Sequence, residues 1–280
     1  MLARLVHELR LLLIAVQFLT RVPVPRWVGF EASWLNECAR HLPLVGAFIG
    51  AFGAAVWALA ACVWPPMVAV ILSMGATVWL TGGFHEDGLS DTCDALGGAV
   101  SRDKALLIMK DSRIGAYGAI ALVLMLGLKA SALAGLAAHG AWWPALALIW
   151  GHAASRAVAV TLMWLLPYAG DMAHAKAKPL ALSVRSSAVF VAWLWVILTT
   201  LLMMVCSPFV NAAAVLLPAM AAALLACALV TGACARWYRR RLGGYTGDTL
   251  GAAQQFSEAA ALLAWLAVVQ QAPALAQWWP

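Results

Sequence analysis

The sequence predicts an all-α, polytopic membrane protein with about seven transmembrane helices and an N-terminal interfacial helix. The chain is 64% hydrophobic and only 11% charged, whereas soluble domains average about 45–50% apolar and about 25% charged residues. Its apolar runs approach about 20 residues, the length that crosses a bilayer as a helix. Its lysines and arginines are concentrated in alternate polar segments, a pattern typical of membrane topology.

Seven apolar stretches are the candidate spans, and short joints alternate with long polar segments between them. The spans are 43–63, 67–84, 114–137, 143–166, 188–206, 210–232 and 255–271. The polar segments are 1–42, 85–113, 167–187 and 233–254. Residues 5–21 are too short and too charged for a span, so they predict a helix that lies at the interface or packs against the bundle. We expect residues 1–280 to form a single integral-membrane domain.

The basic residues predict the orientation. Sixteen of the 18 lysines and arginines lie in the four polar segments, and the other two, Lys129 and Arg156, fall inside spans. By the positive-inside rule the polar segments face the cytoplasm. Topology therefore accounts for the net charge of +6, and we expect a lipid bilayer, not nucleic acid, as the partner of these charges.

The stretch GGFHEDGLSDTCDALGG, residues 82–98, holds four of the twelve acidic residues. Asp87, Asp91 and Asp94 are spaced i, i+4, i+7 and would share one face of a helix. Like charges at this spacing repel, so the stripe needs either strong solvation or a bound cation. Because Mg²⁺ is commonly shared between one or two carboxylates and substrate phosphates, we expect a Mg²⁺ site here. Glu86 points about 100° away and is a weaker candidate ligand.

Three further features are candidate functional groups, each with a structural alternative. His85 is either a general base or a hydrogen-bonded interfacial residue. Lys110 and Arg113, spaced i, i+3, either anchor the chain at the membrane or bind phosphate oxygens, and Asp111 between them is a further candidate metal ligand. Arg156 lies mid-span, where charged residues mark functional sites; it either contacts substrate or forms a structural salt bridge.

The segment RLGGYTGDTLGAAQQFSE, 241–258, has four glycines in nine residues. It predicts that one helix ends at Gly243-Gly244 and another begins directly afterwards. Backbone N–H groups at such a helix start can bind an anion, and ordinary helix capping is the alternative. The candidate contacts are Gly244, Thr246, Gly247, Asp248 and Thr249.

These stretches resemble the bacterial cobalamin synthase family, also called adenosylcobinamide-GDP ribazoletransferases. The sequences TGGFHEDGLSDTCDALGG, KDSRIGAYG and RLGGYTGDTLGAA stand here in the order and spacing of that family. The N-terminal FLTRVPVP and the following PLVG resemble its opening as well, so the resemblance spans nearly the whole chain. Glu86 departs from the pattern, because many relatives have an apolar residue at that position.

The resemblance implies a phosphotransferase that joins adenosylcobinamide-GDP to α-ribazole or its 5′-phosphate and releases GMP, in the last steps of cobalamin nucleotide-loop assembly. It implies that the aspartate stripe holds the Mg²⁺ that binds the diphosphate. It further implies a bacterial inner-membrane protein whose active site faces the cytoplasm, with other nucleotide-loop enzymes as candidate partners.

Two other functions fit the sequence less well. A CDP-alcohol phosphotransferase would have Ala-Arg after D-G-x-x, but Asp91-Thr92 stand there. A cation or corrinoid transporter would carry acidic residues in the middle of several spans, whereas here eleven of the twelve lie on the predicted cytoplasmic side and Glu258 alone lies inside a span.

The predicted topology can be tested with single cysteines at positions 103, 176 and 245 of a cysteine-free variant. All three should be shielded from a membrane-impermeant thiol reagent in intact cells, because the basic segments face the cytoplasm. A cysteine at position 139, in a turn predicted to face outward, should react and serves as the control. Labelling of any of the three from outside would contradict the predicted orientation.

Overall fold

The computed structural model describes residues 2–170, 184–206 and 212–272, and the regular elements in these ranges are helices. They are α1 (Leu2–Leu19), α2 (Ala32–Cys38), α3 (Leu42–Ala61), α4 (Pro66–Thr81), α5 (Phe84–Leu96), α6 (Arg102–Ile108), α7 (Ala116–Ala138), α8 (Trp142–Leu165), α9 (Ser186–Cys206), α10 (Ala212–Leu242) and α11 (Gly247–Gln270). Six helical stretches are long and apolar enough to cross a membrane, and the bent pair α4 and α5 brings the number to seven. The predicted polytopic helical class is confirmed.

The bend between α4 and α5 determines where the acidic stretch lies. Gly82 and Gly83 both have φ of +72°, a left-handed conformation that glycine adopts without steric cost. The two helices consequently meet at 88°. The sequence predicted one span over 67–84, but α4 ends at Thr81 and Phe84 already belongs to α5. The acidic residues therefore lie on a separate helix that turns sharply away from the α4 axis.

The last two helices are longer than the apolar runs that predicted them. The sequence predicted spans over 210–232 and 255–271, but α10 continues to Leu242 and α11 begins at Gly247. These two boundaries confirm the separate prediction that one helix ends at Gly243-Gly244 and another begins directly afterwards. Hydropathy locates the edge of the apolar run, whereas the helix continues into residues such as arginine, which has a high helix propensity. Most of the segment 233–254 is therefore helical. Residues 171–183 of another predicted polar segment lie outside the described residues.

The N-terminal helix packs against the bundle. The side chains of Leu11, Ile14, Ala15 and Leu19 are buried, and α1 contacts α2 and α3. Leu2, Leu5 and Leu9 remain exposed along its outer side. Of the two arrangements that the sequence left open for residues 5–21, the structure has the helix packed on its neighbours.

Helix α8 is the most buried candidate span, and it packs closely on α3 through glycines. A Cβ atom built on Gly50 would lie 2.6 Å from the Ile149 Cα atom. Small residues of this kind let two membrane helices approach at their backbones. The close α3–α8 pair is the scaffold on which the other helices are arranged.

Replacing Gly50 by Ala should therefore separate α3 from α8. Overpacking of a close contact costs about 1–3 kcal/mol, so we expect a lower midpoint of thermal unfolding for the detergent-solubilised protein. Gly127→Ala on α7 is the matched control, because no described atom lies within 4 Å of a Cβ atom at that position. Equal midpoints for the two variants would contradict the close contact.

Candidate active site

The acidic helix α5 crosses the start of α11 at a glycine. A Cβ atom on Gly88 would lie 2.8 Å from the Asp248 carbonyl oxygen and 3.2 Å from the Gly251 Cα atom. The two backbones therefore touch, and Asp87 and Asp91, which flank Gly88 on α5, are brought to the first turn of α11. The prediction that the aspartates share a helix is confirmed, with Asp87 exposed and Asp91 partly buried.

The turn that precedes α11 is a capped helix start. The Thr249 backbone N–H donates to the Thr246 hydroxyl oxygen at 3.2 Å, and the Thr246 N–H donates to the Thr249 hydroxyl oxygen at 2.8 Å. Both side chains are buried, and the hydroxyl oxygen of each accepts a backbone hydrogen bond in this capping box. Gly247 is exposed, and no described atom lies within 4 Å of a Cβ atom built on it. Of the five candidate contacts in this segment, Gly247 and the partly buried Asp248 therefore reach the surface.

The Gly244 backbone is packed inside the fold. A Cβ atom at this position would lie 3.0 Å from the Pro167 carbonyl carbon. The Tyr245 backbone N–H donates to the Pro167 carbonyl oxygen at 3.0 Å, and the Ala169 N–H donates to the Tyr245 carbonyl oxygen at 2.8 Å. This short backbone ladder fixes the turn to the chain that leaves α8.

Asp94, the last member of the stripe, caps helix α7. Its two carboxylate oxygens accept hydrogen bonds from the backbone N–H groups of Gly115 and Gly118 at 2.7 and 2.8 Å. A carboxylate at a helix N-terminus satisfies unpaired donors and interacts favourably with the helix dipole. The structure thus gives Asp94 a structural role that the sequence did not predict.

The residues between α6 and α7 are not helical, so Lys110 and Arg113 do not stand on one helix face as their i, i+3 spacing suggested. Lys110 is partly buried. The exposed Arg113 guanidinium binds Asp111, with 2.6 Å between Arg113 Nη2 and Asp111 Oδ2. Met109 directly precedes Lys110, and its sulfur accepts a hydrogen bond from the Thr246 hydroxyl at 3.6 Å. This contact brings the segment against the start of α11.

The polar motifs of the sequence therefore meet at one end of the bundle. Helix α5, the segment 109–118 and the turn 243–249 contact one another there. Among the residues that the structure describes, no three His, Cys, Asp or Glu side chains are grouped so as to hold a metal ion. Any metal held by Asp87 and Asp91 would consequently need oxygen ligands from elsewhere, such as a substrate.

Arg156 belongs to a buried polar group inside the bundle. We call Lys129, His152, Arg156 and Glu258 the intramembrane cluster. Arg156 is 2% exposed, and its Nη1 atom lies 3.6 Å from Glu258 Oε2. His152 Nδ1 lies 3.2 Å from the same oxygen, and Lys129 forms an ion pair with Glu258. Arg156 therefore forms an ion pair of the kind that the sequence gave as the alternative to a substrate contact.

Sequence reasoning noted Lys129 and Glu258 but gave them no role. The available signal was that three charged residues, Lys129, Arg156 and Glu258, lie in three different spans. Because an unpaired charge is costly in a bilayer, charges of opposite sign on separate spans are expected to meet. Gln254 and Gln255, which are hydrogen-bonded to Glu258 and Lys129 respectively, carried no such signal.

The helical bundle and the acidic helix at its polar end define a polytopic α-helical membrane protein with a site formed between α5 and α11. The chain belongs to the cobalamin-5-phosphate synthase family, whose model matches residues 11–266. This membership confirms the resemblance found in the sequence.

Named relatives match nearly the whole chain. A protein of Leptothrix cholodnii is 57% identical over 267 residues, covering 95% of this chain and 98% of its own length. A protein of Shewanella piezotolerans is 41% identical, covering 94% of this chain and 96% of its own length. Both are named adenosylcobinamide-GDP ribazoletransferase. No solved structure matches the chain.

The capping role of Asp94 predicts a loss of stability on truncation. Asp94→Ala removes both hydrogen bonds to the start of α7, and loss of such a cap costs about 0.5–2 kcal/mol. We expect a lower thermal unfolding midpoint in detergent. Asp87→Ala, which removes an exposed carboxylate of the same helix, is the control and should unfold close to the wild-type temperature. An unchanged midpoint for Asp94→Ala would mean that the two backbone bonds do not stabilise α7.

Proposed function

We propose that this chain is a Mg²⁺-dependent membrane phosphotransferase that joins adenosylcobinamide-GDP to α-ribazole, or to its 5′-phosphate, and releases GMP. The family and the names of near-full-length relatives support this reaction. The structural observation that supports it most is the crossing of α5 and α11 at Gly88. Asp87 and Asp91 lie on either side of Gly88 along α5, and Gly247 is exposed at the start of α11. A diphosphate substrate needs groups of both kinds.

The donor set suits Mg²⁺. Asp87 and Asp91 supply carboxylate oxygens, and Mg²⁺ is usually held by one or two carboxylates together with substrate phosphates and water. Both carboxylate oxygens of Asp94 cap α7, and Asp111 lies in the segment after α6, off the α5 helix, so we place these two outside the proposed metal site. When bound, the metal would neutralise charge on the diphosphate and on the departing GMP.

The reaction itself exchanges the phosphoanhydride bond of the diphosphate for a new phosphate ester bond. A ribazole hydroxyl oxygen bonds to the phosphorus that carries the cobinamide, the bond from that phosphorus to the bridging oxygen breaks, and GMP leaves with that oxygen. The hydroxyl proton passes to a base. Little covalent chemistry is required of the protein in such a transfer, which depends on positioning and charge stabilisation.

The protein's own residues would divide these tasks. Backbone N–H groups at Gly247 and the start of α11 would bind phosphate oxygens, and Lys110 and Arg113 would contribute positive charge. The sequence left His85, on the first turn of α5, as a candidate general base. Its side chain is buried between α4, α7, α8 and α11 in a small cavity that also touches the intramembrane cluster, so we do not assign the proton to it.

The cellular location follows from the same proposal. We propose that the end of the bundle with α5 and the start of α11 faces the cytoplasm from a bacterial inner membrane, and the lysine and arginine distribution supports this orientation. Both substrates would then reach the site from the cytoplasm, where other enzymes of nucleotide-loop assembly are candidate partners.

The proposal is tested by GMP release from adenosylcobinamide-GDP, with and without α-ribazole 5′-phosphate, in the wild type and in Asp91→Asn. Asparagine keeps the shape of the side chain but removes the charge that Mg²⁺ requires. We expect turnover to fall about 10²- to 10⁴-fold, the equivalent of several kcal/mol of charge stabilisation. Folding should be retained, because one of three like charges is removed.

Three results would count against this assignment. Absence of GMP release by the wild type would contradict the reaction. Full activity of Asp91→Asn, or an unchanged Mg²⁺ dependence of its residual activity, would remove Asp91 from the metal site. Thr161→Val, which alters a hydrogen bond between α8 and α9, is the control for general effects of substitution.

A further inference from the structure

A continuous hydrogen-bonded path joins the acidic helix to the intramembrane cluster. The Gln255 Nε2 group donates to Glu86 Oε1 at 3.0 Å. In the other direction, Lys129 Nζ donates to Gln255 Oε1 at 3.1 Å. Lys129 is ion-paired with Glu258. The Gln255 side chain therefore connects Glu86 of α5 to the ion pair between Lys129 of α7 and Glu258 of α11.

Gln255 is held rigidly in this position. It is 2% exposed, and its Nε2 group also lies 2.9 Å from the Gln254 Oε1 atom. Gln254 in turn donates to the Ser155 hydroxyl oxygen at 3.1 Å. A buried amide whose donors and acceptor are all used has little freedom to rotate, since each broken bond leaves a polar group unsatisfied in an apolar surrounding.

The crossing at Gly88 sets the distance between α5 and α11 but not the rotation of α5 about its axis. Glycine offers no side chain that interlocks with its neighbour, so a backbone contact of this kind can turn and slide. To fix the rotation of α5, at least one of its side chains must be held by a neighbouring element. Asp94 supplies one at the far end of α5, and Glu86 supplies one at the first turn.

Glu86 immediately precedes Asp87 and lies five residues before Asp91. Its Oε2 atom is buried without a hydrogen-bond partner among the described residues, as is Arg156 Nε. Both residues line a cavity of about 20 Å³ between α4, α7, α8 and α11, which has room for about one water molecule. The carboxylate of Glu86 is thus directed into the bundle, away from the surface that exposes Asp87.

We propose that Gln255 is a positioning residue, which orients the proposed Mg²⁺ site by holding Glu86 and so fixing the rotation of α5. Glu86 then serves the metal site through this bond and not as a ligand. This inference rests on the proposed function for the identity of the metal. It adds a residue of α11, outside the acidic stretch, to the groups on which metal affinity depends.

The test is metal affinity, measured apart from turnover. Mn²⁺ is titrated into the purified full-length chain in the presence of adenosylcobinamide-GDP and without α-ribazole, so that the diphosphate can supply the remaining ligands without turnover, and the free Mn²⁺ concentration is followed by electron paramagnetic resonance. Gln255→Leu, which removes the link at similar volume, should weaken Mn²⁺ binding about tenfold, the effect expected for one lost hydrogen bond to a charged group. Glu86→Leu breaks the same bond from a partly exposed position and should weaken binding equally. The double variant should be no weaker than either single one, because both remove a single interaction.

Glu86→Gln separates positioning from ligation. Its amide oxygen can still accept the bond from Gln255, so Mn²⁺ affinity should recover most of what Glu86→Leu loses. If Glu86 were a ligand, Glu86→Gln would weaken binding as much as Glu86→Leu, and Gln255→Leu would leave it unchanged. Either of those results overturns the proposal.

A purely structural role is excluded by a matched control. Thr200→Val removes another side-chain hydrogen bond between helices. It is the bond from Trp150 Nε1 at 3.1 Å, which joins α8 to α9 and does not involve α5. It should lower the thermal unfolding midpoint without changing Mn²⁺ affinity. A Gln255→Leu variant that behaves in the same way overturns the inference. Asp91→Asn in the same titration tests the proposed metal site separately, so failure of that site and failure of the Gln255 link give different results.

Discussion

The contact between the backbones of α5 and α11 is the constraint on which the rest of the site depends. Gly88 and Gly251 lack side chains, so the two helices approach until their main chains touch. A larger residue at either position would push the acidic helix away from the capped turn at Thr246. The 88° bend after α4 makes this approach possible, because it directs α5 towards α11 and not along the axis of α4.

Charge inside the bundle imposes a second constraint. An isolated lysine, arginine or glutamate in a bilayer is expensive, yet α7, α8 and α11 each carry one of these residues. The cost is offset only if the three helices are arranged so that Glu258 meets both Lys129 and Arg156. The intramembrane cluster therefore specifies which helices are neighbours, and α3 covers it closely at Gly46, where a Cβ atom would lie 2.6 Å from Arg156 Cδ.

Several arginines of the predicted cytoplasmic segments bind helix ends. Arg241 donates to the carbonyl oxygens of Leu96 and Gly98 at 2.9 and 2.7 Å. Arg102 donates to the Leu242 carbonyl oxygen at 2.8 Å. The last carbonyl groups of a helix lack partners within it and carry partial negative charge. These side chains thus tie the ends of α5, α6 and α10 together in addition to their part in topology.

The sequence alone determined the class of the protein, the approximate positions of its spans and the motifs that identify its family. These depend on local properties: the length of an apolar run, the spacing of Asp87 and Asp91 on a helix, and the capping chemistry around Thr246. The glycines and capping residues of 243–249 predicted where α10 ends and α11 begins, whereas hydropathy located only the apolar parts of these two helices.

Tertiary structure decided which of the polar residues work together. The spacing of the aspartates could not distinguish Asp94 from its neighbours, because its partners, Gly115 and Gly118, lie on another helix. Nor could it show that Arg156 pairs with Glu258 or that Gln255 holds Glu86. Such contacts join residues that are far apart in the chain, and they form only when the packing of glycines and small side chains has fixed how closely the helices approach.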